Sequence, residues 1–313
     1  MNCIFIYNPN SGKGRVAKKL DYIKRELEKK YNPVDIYEST SREALIETTK
    51  SACSKYDIIA FSGGDGTFND IANAVCGEEK RPILGYIPSG TVNDLGRNLK
   101  IPKNIKKAVK IITKGDISYH DAGLINDRYF VYVAGIGTFT SVSYKTQQSI
   151  KKILGRMAYM LDGLEELIYP KIVNVRIKSL DDDSVIEGEY PLVLVLNSKT
   201  CGGFNIDRDG HLNDGYFDII CVKKFYKFHS INVLNLFFIG ARKRRMVTSF
   251  YQMMRAKEFV VETDDNTYWT IDGEKGMSGN VHIINLHKHL RILVPKKKNR
   301  PISNQLLPDE EIE

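Results

Sequence analysis

Ile58-Ile59-Ala60-Phe61-Ser62-Gly63-Gly64-Asp65-Gly66-Thr67 reads as a short buried strand that runs straight into a glycine-rich loop. Apolar residues resume over Phe68-Val75 as a helix, so the segment is the opening of a strand–helix–strand unit. Adjacent glycines let backbone amides approach an anion without side-chain interference. The helix start that follows adds unpaired donors and a positive dipole end. A carboxylate among such donors would repel a phosphate unless a metal cation or a reacting hydroxyl stood between them. Asp65 therefore reads as a catalytic or Mg²⁺-organising group; the plainer alternative is a glycine turn with Asp as a cap.

The same rhythm extends on both sides. Cys3-Tyr7 is a strand ending at Asn8-Pro9, and Val16, Leu20, Ile23 and Leu27 recur on one helical face. Val34-Tyr37 follows as a strand, and Thr40 with Glu43 three residues later resembles a capping box. Ile83-Ile87 is a further strand and Ile105-Ile112 a further helix. This alternation predicts a parallel sheet covered by helices, whose ligands bind beyond the carboxyl ends of the strands. Two more loops stand at such ends. Asn8-Pro9-Asn10-Ser11-Gly12-Lys13-Gly14 contains a Gly-Lys pair, but Tyr7 and Gly14 replace the glycine and hydroxyl residue of a Walker A loop. Taken alone it reads either as a phosphate loop or as a turn opening a helix. Pro88-Ser89-Gly90-Thr91-Val92-Asn93-Asp94 places a glycine, a hydroxyl, an amide and a carboxylate at the same edge.

Beyond about residue 122 strand-like segments dominate: Tyr129-Val133, Ile172-Lys178, Val185-Glu189, Leu192-Leu196, Phe217-Val222, Phe259-Thr263, Tyr268-Ile271, Val281-Asn285 and Leu290-Val294. Helical stretches interrupt them near Lys151-Ile168 and Ser230-Arg242. The expected architecture is an N-terminal α/β domain with a parallel sheet flanked by helices, over 1–122, and a mainly antiparallel β domain over 123–294. A length of 313 residues suits two domains.

Composition narrows the classes. No run reaches the roughly 18 apolar residues of a membrane span, and the first residues lack the pattern of a secretory signal. Five scattered cysteines without a CxxC spacing argue against a disulfide framework or a zinc site. The net charge of +8 suits nucleotide phosphates, nucleic acid or an anionic membrane alike. No nucleic-acid-binding motif accompanies it, so no nucleic-acid partner is expected.

Asn-Pro-x-Ser-Gly, Gly-Gly-Asp-Gly-Thr and Pro-x-Gly-Thr-x-Asn-Asp, in this order, resemble the diacylglycerol kinase catalytic family, in particular its soluble bacterial lipid-kinase branch. Gly202-Gly203, Leu212-Asn213-Asp214-Gly215-Tyr216-Phe217-Asp218 and Ile271-Asp272-Gly273-Glu274 extend the resemblance to about residue 294. It implies an NAD kinase- and phosphofructokinase-like α/β domain, completed by residues 295–313, and an ATP- and Mg²⁺-dependent lipid kinase. Asn8, Thr40, Gly63, Gly64, Asp65, Gly66, Thr67 and Thr91 would then surround ATP. Asp272 would be the general base, with Glu274 in the same charge network; the bland reading of Asp272 is a hairpin-turn residue. Asp65, Asp94 and Asp121 would organise the catalytic Mg²⁺. Asp214, with the carbonyls of His211 and Tyr216, would hold a second Mg²⁺. Arg208 and Gly210 stand where the family tends to have proline and alanine.

Diacylglycerol is the leading acceptor. A sphingoid base, a monoacylglycerol and phosphatidylglycerol are rivals within the same fold, and a catalytically silent lipid- or nucleotide-binding regulator is a rival from another class. NAD kinase shares only the Gly-Gly-Asp-Gly-Thr loop. The expected location is cytoplasmic, peripherally associated with an anionic membrane, with homodimer formation left open. Lys151-Ile168 and Val233-Ile239, the latter leading into Arg242-Lys243-Arg244-Arg245, are candidate membrane contacts. The bland reading makes each a helix packed on the β domain.

Overall fold

The structure, a computed structural model, describes residues 1–9, 11–138, 171–201, 204–224, 229–242 and 246–296. The helix expected over 151–168, the pair Gly202-Gly203, residues 243–245 and the segment after 296 lie outside the described residues.

The α/β part opens with β1 (Cys3–Tyr7), α1 (Leu20–Glu28), β2 (Val34–Glu38), α2 (Arg42–Lys55), β3 (Ile58–Gly63), α3 (Asp65–Cys76) and β4 (Ile83–Pro88), followed by short α4 (Asp94–Asn98) and α5 (Ile105–Lys114). Strands β2, β1, β3 and β4 lie side by side and parallel. Every residue of β1, β3 and β4 is buried, as expected of strands covered on both faces. The cap of α2 is Ser41 rather than Thr40: Ser41 has an extended backbone, and its hydroxyl accepts a hydrogen bond from the Ala44 amide at 3.1 Å. Helix α3 begins at Asp65, so the glycine loop of the sequence is largely the helix's first turn.

The remaining strands are β5 (Asp116–Ile125), β6 (Arg128–Phe130), β7 (Val133–Gly137), β8 (Val173–Ser179), β9 (Val185–Tyr190), β10 (Leu192–Leu196), β11 (Thr200–Cys201), β12 (Phe204–Asn205), β13 (Phe217–Val222), β14 (Tyr251–Ala256), β15 (Glu258–Thr263), β16 (Tyr268–Ile271), β17 (Glu274–Ser278) and β18 (Val281–Val294), with α6 (His229–Ile239) after β13. The antiparallel architecture expected for this half is present: a six-stranded sheet runs β14-β13-β10-β7-β16-β17. The two segments expected at Val281-Asn285 and Leu290-Val294 form one strand, β18, with a register shift between Leu286 and Leu290. It pairs in parallel with β4 at Ile292 and Leu84, and antiparallel with β5 and β15. The first sheet therefore continues from the parallel strands through β18 into β15, β8 and β9. Residue 122 falls within β5.

The alternation of β10 explains how the layers join. Leu192, Leu194 and Leu196 belong to the core shared with the α/β part, whereas Val193 and Val195 pack in the sandwich core with Phe130, Phe217, Phe259 and Ile283. Trp269 is fully buried there, and its indole N–H donates to the Gly279 carbonyl at 3.1 Å. No helix among the described residues is long and apolar enough to cross a membrane.

Candidate active site

Parallel register brings the first loops together. Tyr7 stands opposite Glu38, and Gly63 opposite Pro88, so the loops that follow all leave one edge of the sheet. Asn8 directly follows β1, Thr40 stands at the start of the β2–α2 loop, and Thr91 lies beyond β4. The glycines let the loops touch. A Cβ on Gly90 would lie 2.5 Å from the Gly64 Cα, and one on Gly12 (φ +60°) 2.8 Å from the Ser89 carbonyl oxygen. Asn93, itself left-handed at φ 53°, fastens the third loop: its Oδ1 accepts from the Gly90 amide (2.9 Å) and its Nδ2 donates to the Gly90 carbonyl (2.7 Å). The Tyr86 hydroxyl braces Gly63 O at 3.1 Å from below. Its ring packs with Phe61 and Phe68 at centroid distances of 5.2 and 5.1 Å. The first intrahelical bond of α3 runs from the Phe68 amide to Gly64 O. The amides of Asp65, Gly66 and Thr67 therefore precede the helical ladder, the arrangement that favours an anion at a helix start.

Carboxylates gather beside this edge. Asp65 does not cap its own helix; its Oδ1 accepts from the Leu95 amide, at the start of α4, at 3.4 Å. Burial first, and then the neighbouring Asp94, push its pKa up to about 6, against the pull of the Leu95, Asn93 and Asp94 amides. Asp94 is buried beside Arg97, whose Nη2 is 3.4 Å away. Asp272 and Gly273 have φ of 48° and 87° and form the two-residue turn joining β16 to β17, the backbone such a hairpin prefers. The Asp272 carboxylate is nevertheless turned inward. It accepts from the amides of Val131 (2.7 Å), Tyr132 (3.0 Å) and Val133 (3.0 Å), where the chain passes from β6 to β7 and those amides lack ladder partners. Burial raises its pKa to about 6, and the three amides oppose that.

One phenol ties the group together. Tyr132 is buried, and its hydroxyl donates to the Asp272 carbonyl at 3.0 Å. Its pKa is driven well above the usual tyrosine value by burial first, then by Asp272, Asp65, Cys201 and Asp94 in turn. Burial, followed by Asp94 and Asp272, likewise pushes the Cys201 thiol up to about 12. Residues 65, 94 and 272 thus share one neighbourhood despite their separation in the chain.

Glu274, on the far side of the hairpin turn, faces a cleft of about 430 Å³ between α2, α3 and the hairpin, lined by Arg42, Lys50, Asp70, Asn73 and Arg128 among others. Arg42 bridges it. Its guanidinium donates to Asp70 Oδ1 from Nε (2.9 Å) and Nη2 (2.6 Å), and to Glu274 Oε2 at 2.7 Å. Arg128 reaches the same Glu274 oxygen at 3.3 Å. Sequence reasoning missed Arg42, Asp70, Arg128 and Tyr132. Their partners are far along the chain, and no local pattern marks them.

Asp121 and Asp214 form a separate group. Asp121 is fully buried and accepts from the Gly215 amide (2.7 Å), the Lys288 amide (2.7 Å) and His287 Nδ1 (2.9 Å), joining β5, the 212–215 loop and the irregular turn of β18. Asp214 accepts from the Tyr216 amide at 3.3 Å and pairs with the Arg255 guanidinium, which lies 4.3 Å from the Tyr216 ring centre. His211 is exposed on the same loop. Nearby, buried Asp207 Oδ2 lacks a hydrogen-bond partner and lies 2.7 Å from where a Gly210 Cβ would stand. The glycine at 210 leaves room for that carboxylate. Among the described residues, no three His, Cys, Asp or Glu side chains gather as a ready metal cluster.

The chain's relatives share this organisation. The model of the diacylglycerol kinase catalytic domain matches residues 2–125, and that of the YegS C-terminal NAD kinase beta sandwich-like domain matches residues 133–294. A diacylglycerol kinase of Staphylococcus saprophyticus is 34% identical over 96% of this chain and 98% of its own length. One from Staphylococcus epidermidis is 34% identical over 93% of this chain and 91% of its own. A crystal structure of a diacylglycerol kinase from Bacillus anthracis aligns with TM-score 0.74 at 25% identity, covering 94% of this chain and 96% of that one. From its glycine loops to its sandwich, this chain belongs to the diacylglycerol kinase family of lipid kinases.

Proposed function

We propose that the protein transfers the γ-phosphate of ATP to a lipid hydroxyl, with diacylglycerol as acceptor and phosphatidic acid as product, in a Mg²⁺-dependent reaction. The observation that carries the proposal is the buried Tyr132, whose hydroxyl bonds the Asp272 carbonyl and whose proton is held by burial and then by the charges of Asp272, Asp65 and Asp94, beside three mutually packed glycine loops. Phosphoryl transfer asks a protein mainly for positioning and charge neutralisation, and this edge offers both. ATP would lie against the amides of Gly63 to Thr67, with Asn8, Thr40 and Thr91 on the flanking loops. Asp272 would take the acceptor hydroxyl's proton as the new O–P bond forms; its three amide donors fix where its oxygens point. Glu274 would tie that hairpin to α2 through Arg42.

Asp65 and Asp94 suit Mg²⁺, which contacts one or two carboxylates and keeps waters or phosphate oxygens for the rest. Each is a hard oxygen donor, and Asp94 raises the protonation of Asp65, a repulsion that a cation would relieve. When bound, Mg²⁺ would offset the phosphate charge. Asp121 would act on this centre through the segments it ties together. At Asp214, His211 and Tyr216, Arg255 already supplies positive charge, so a second Mg²⁺ there requires Arg255 to turn aside. The α/β part, residues 1–122 with the segment after 294, would hold the nucleotide, and residues 123–294 the lipid.

The test is an assay with labelled ATP and Mg²⁺ in mixed micelles carrying diacylglycerol, a sphingoid base, a monoacylglycerol or phosphatidylglycerol, run beside Asp272→Asn. Labelled phosphatidic acid from wild type alone supports the proposal. Absence of any labelled lipid, or equal labelling by the variant, defeats it.

A further inference from the structure

Helix α6 has two unlike faces. Asn232, Val233, Leu236 and the following Gly240 are buried, a spacing of one helical stripe. The opposite side carries Ile231 and Phe238, the latter 66% exposed, and Ile239, the last residue of the helix, is 52% exposed. A helix at a water-facing surface ordinarily carries polar residues on that side. Val247, at 68% exposure, and Met246 follow within one short stretch. Five of the eleven large hydrophobic residues exposed among the described residues thus fall between 231 and 247, and Arg242-Lys243-Arg244-Arg245 stand within the same span of sequence.

This surface is fastened to the carboxylate cluster. Cys201 in β11 lies in the field of Asp94 and Asp272, and Asn98 Nδ2, at the end of α4, donates to Thr200 Oγ1 at 2.9 Å. Strand β11 pairs with β12, and Phe204 of β12 meets Phe237 of α6 edge to face at 5.2 Å. The end of α6 is pressed onto the same hairpin: a Cβ on Gly240 (φ +74°) would lie 2.7 Å from Asn205 O, and the Ala241 amide donates to Ile206 O at 2.6 Å. Phe238 and Ile239 therefore belong to a helix joined to the neighbourhood of those carboxylates through the β11–β12 hairpin.

We propose that the outer face of α6 and residues 246–247 seat the protein on an anionic lipid bilayer, delivering a bilayer-resident acceptor beside the β11–β12 hairpin. The second part rests on the lipid-kinase function proposed above; the first does not. Apolar side chains flanking a basic run are the combination that binds the headgroup region of anionic membranes. A second copy of the chain fits less well. A two-fold dimer brings the same patch from both partners together, and so would bring two copies of the exposed Arg242 together.

The experiment measures sedimentation of the full chain with vesicles of phosphatidylcholine containing phosphatidylglycerol, and with phosphatidylcholine alone. Phe238→Asn with Ile239→Asn, Val247→Asn alone, and Arg242→Glu with Arg244→Glu are compared with wild type, each with a thermal melt. Phosphorylation of a water-soluble short-chain diacylglycerol is followed in parallel. Wild type is expected to sediment with the anionic vesicles, and the double variants to lose about tenfold or more in partitioning, with short-chain phosphorylation and melting unchanged. Failure of wild type to bind, or unchanged binding by both Val247→Asn and the charge-reversed variant, overturns the seating proposal. So does a wild-type dimer that Phe238→Asn with Ile239→Asn converts to a monomer while vesicle binding persists. A chain that binds vesicles through this face but phosphorylates no lipid overturns the function proposed above and leaves the seat standing.

Discussion

Two groups of buried carboxylates stand in this protein, and their partners differ. Asp121 has both oxygens occupied by two amides and an imidazole drawn from the 212–215 loop and the turn of β18. Asp65 meets only the amides that open α4, the Leu95 amide at 3.4 Å, and burial with the like charge of Asp94 outweighs them, so its proton affinity rises. Asp272 lies between these extremes: three amides orient it, yet burial still lifts its pKa to about 6. A carboxylate whose hydrogen-bonding capacity is filled acts as a joint between chain segments. One left short of partners, in a desolvated place, is held ready for a cation or a proton. Perturbed carboxylates in a cleft are where chemistry is expected.

Substitutions should separate the two groups. Asp272→Asn is expected to cut lipid phosphorylation by about 10²–10⁴-fold, the usual worth of a general base, while the folded protein persists by circular dichroism. The contrast breaks if Asp121→Asn, which keeps one acceptor oxygen, loses as much activity at unchanged stability. Asp121→Ala should instead lower unfolding free energy by about 3 kcal/mol, because it strands two amides and an imidazole around a buried gap; a denaturant titration reads this directly.

A smaller effect is the pH profile. In the proposed role Asp272 would act as a base only when ionised, so kcat/KM should fall as pH drops through about 6. For stability the sign is opposite. A folded-state pKa raised from 3.8 to about 6 makes Asp65 and Asp272 favour the fold at low pH, and that contribution is lost as pH climbs between those values. Asp65→Asn should therefore gain stability relative to wild type above pH 6, seen as a higher melting temperature at pH 7 than at pH 4 in the difference between the two proteins. A variant with no such pH-dependent difference would place Asp65 among the satisfied joints. The smallest effect concerns the loop beside Asp214. Gly210→Ala should cost about 1 kcal/mol by crowding Asp207, and Asp207→Ala should remove most of that penalty in a double-mutant cycle.

Strands with continuous burial, Leu192–Leu196 and Phe217–Val222, were legible in the sequence, and Tyr268–Ile271, buried apart from Tyr268, also stands as read. Asp116–Ile125 did not look like a strand, because its first half is largely exposed and only its second half enters the core. Tyr251–Ala256 is short and rich in methionine, which signals neither period. The break read between Val281-Asn285 and Leu290-Val294 was a real irregularity, with Lys288 left-handed at φ 53° and its amide turned to Asp121, but pairing with β5 continues on both sides. The site was legible where function is written in loop motifs. It was illegible where it depends on distant pairings: Arg42 with Glu274, Tyr132 with Asp272. Such contacts exist only once the sheets are assembled.

Strand β18 sits between β4 and β15 in the middle of the first sheet, yet it is made long after β4. As the chain emerges from the ribosome, the parallel strands are complete while β4 still shows an open edge to the cell. Such an edge invites strands from other chains. The nascent protein must therefore wait, exposed, for its own late strand, and chaperone demand during synthesis should be set by that gap.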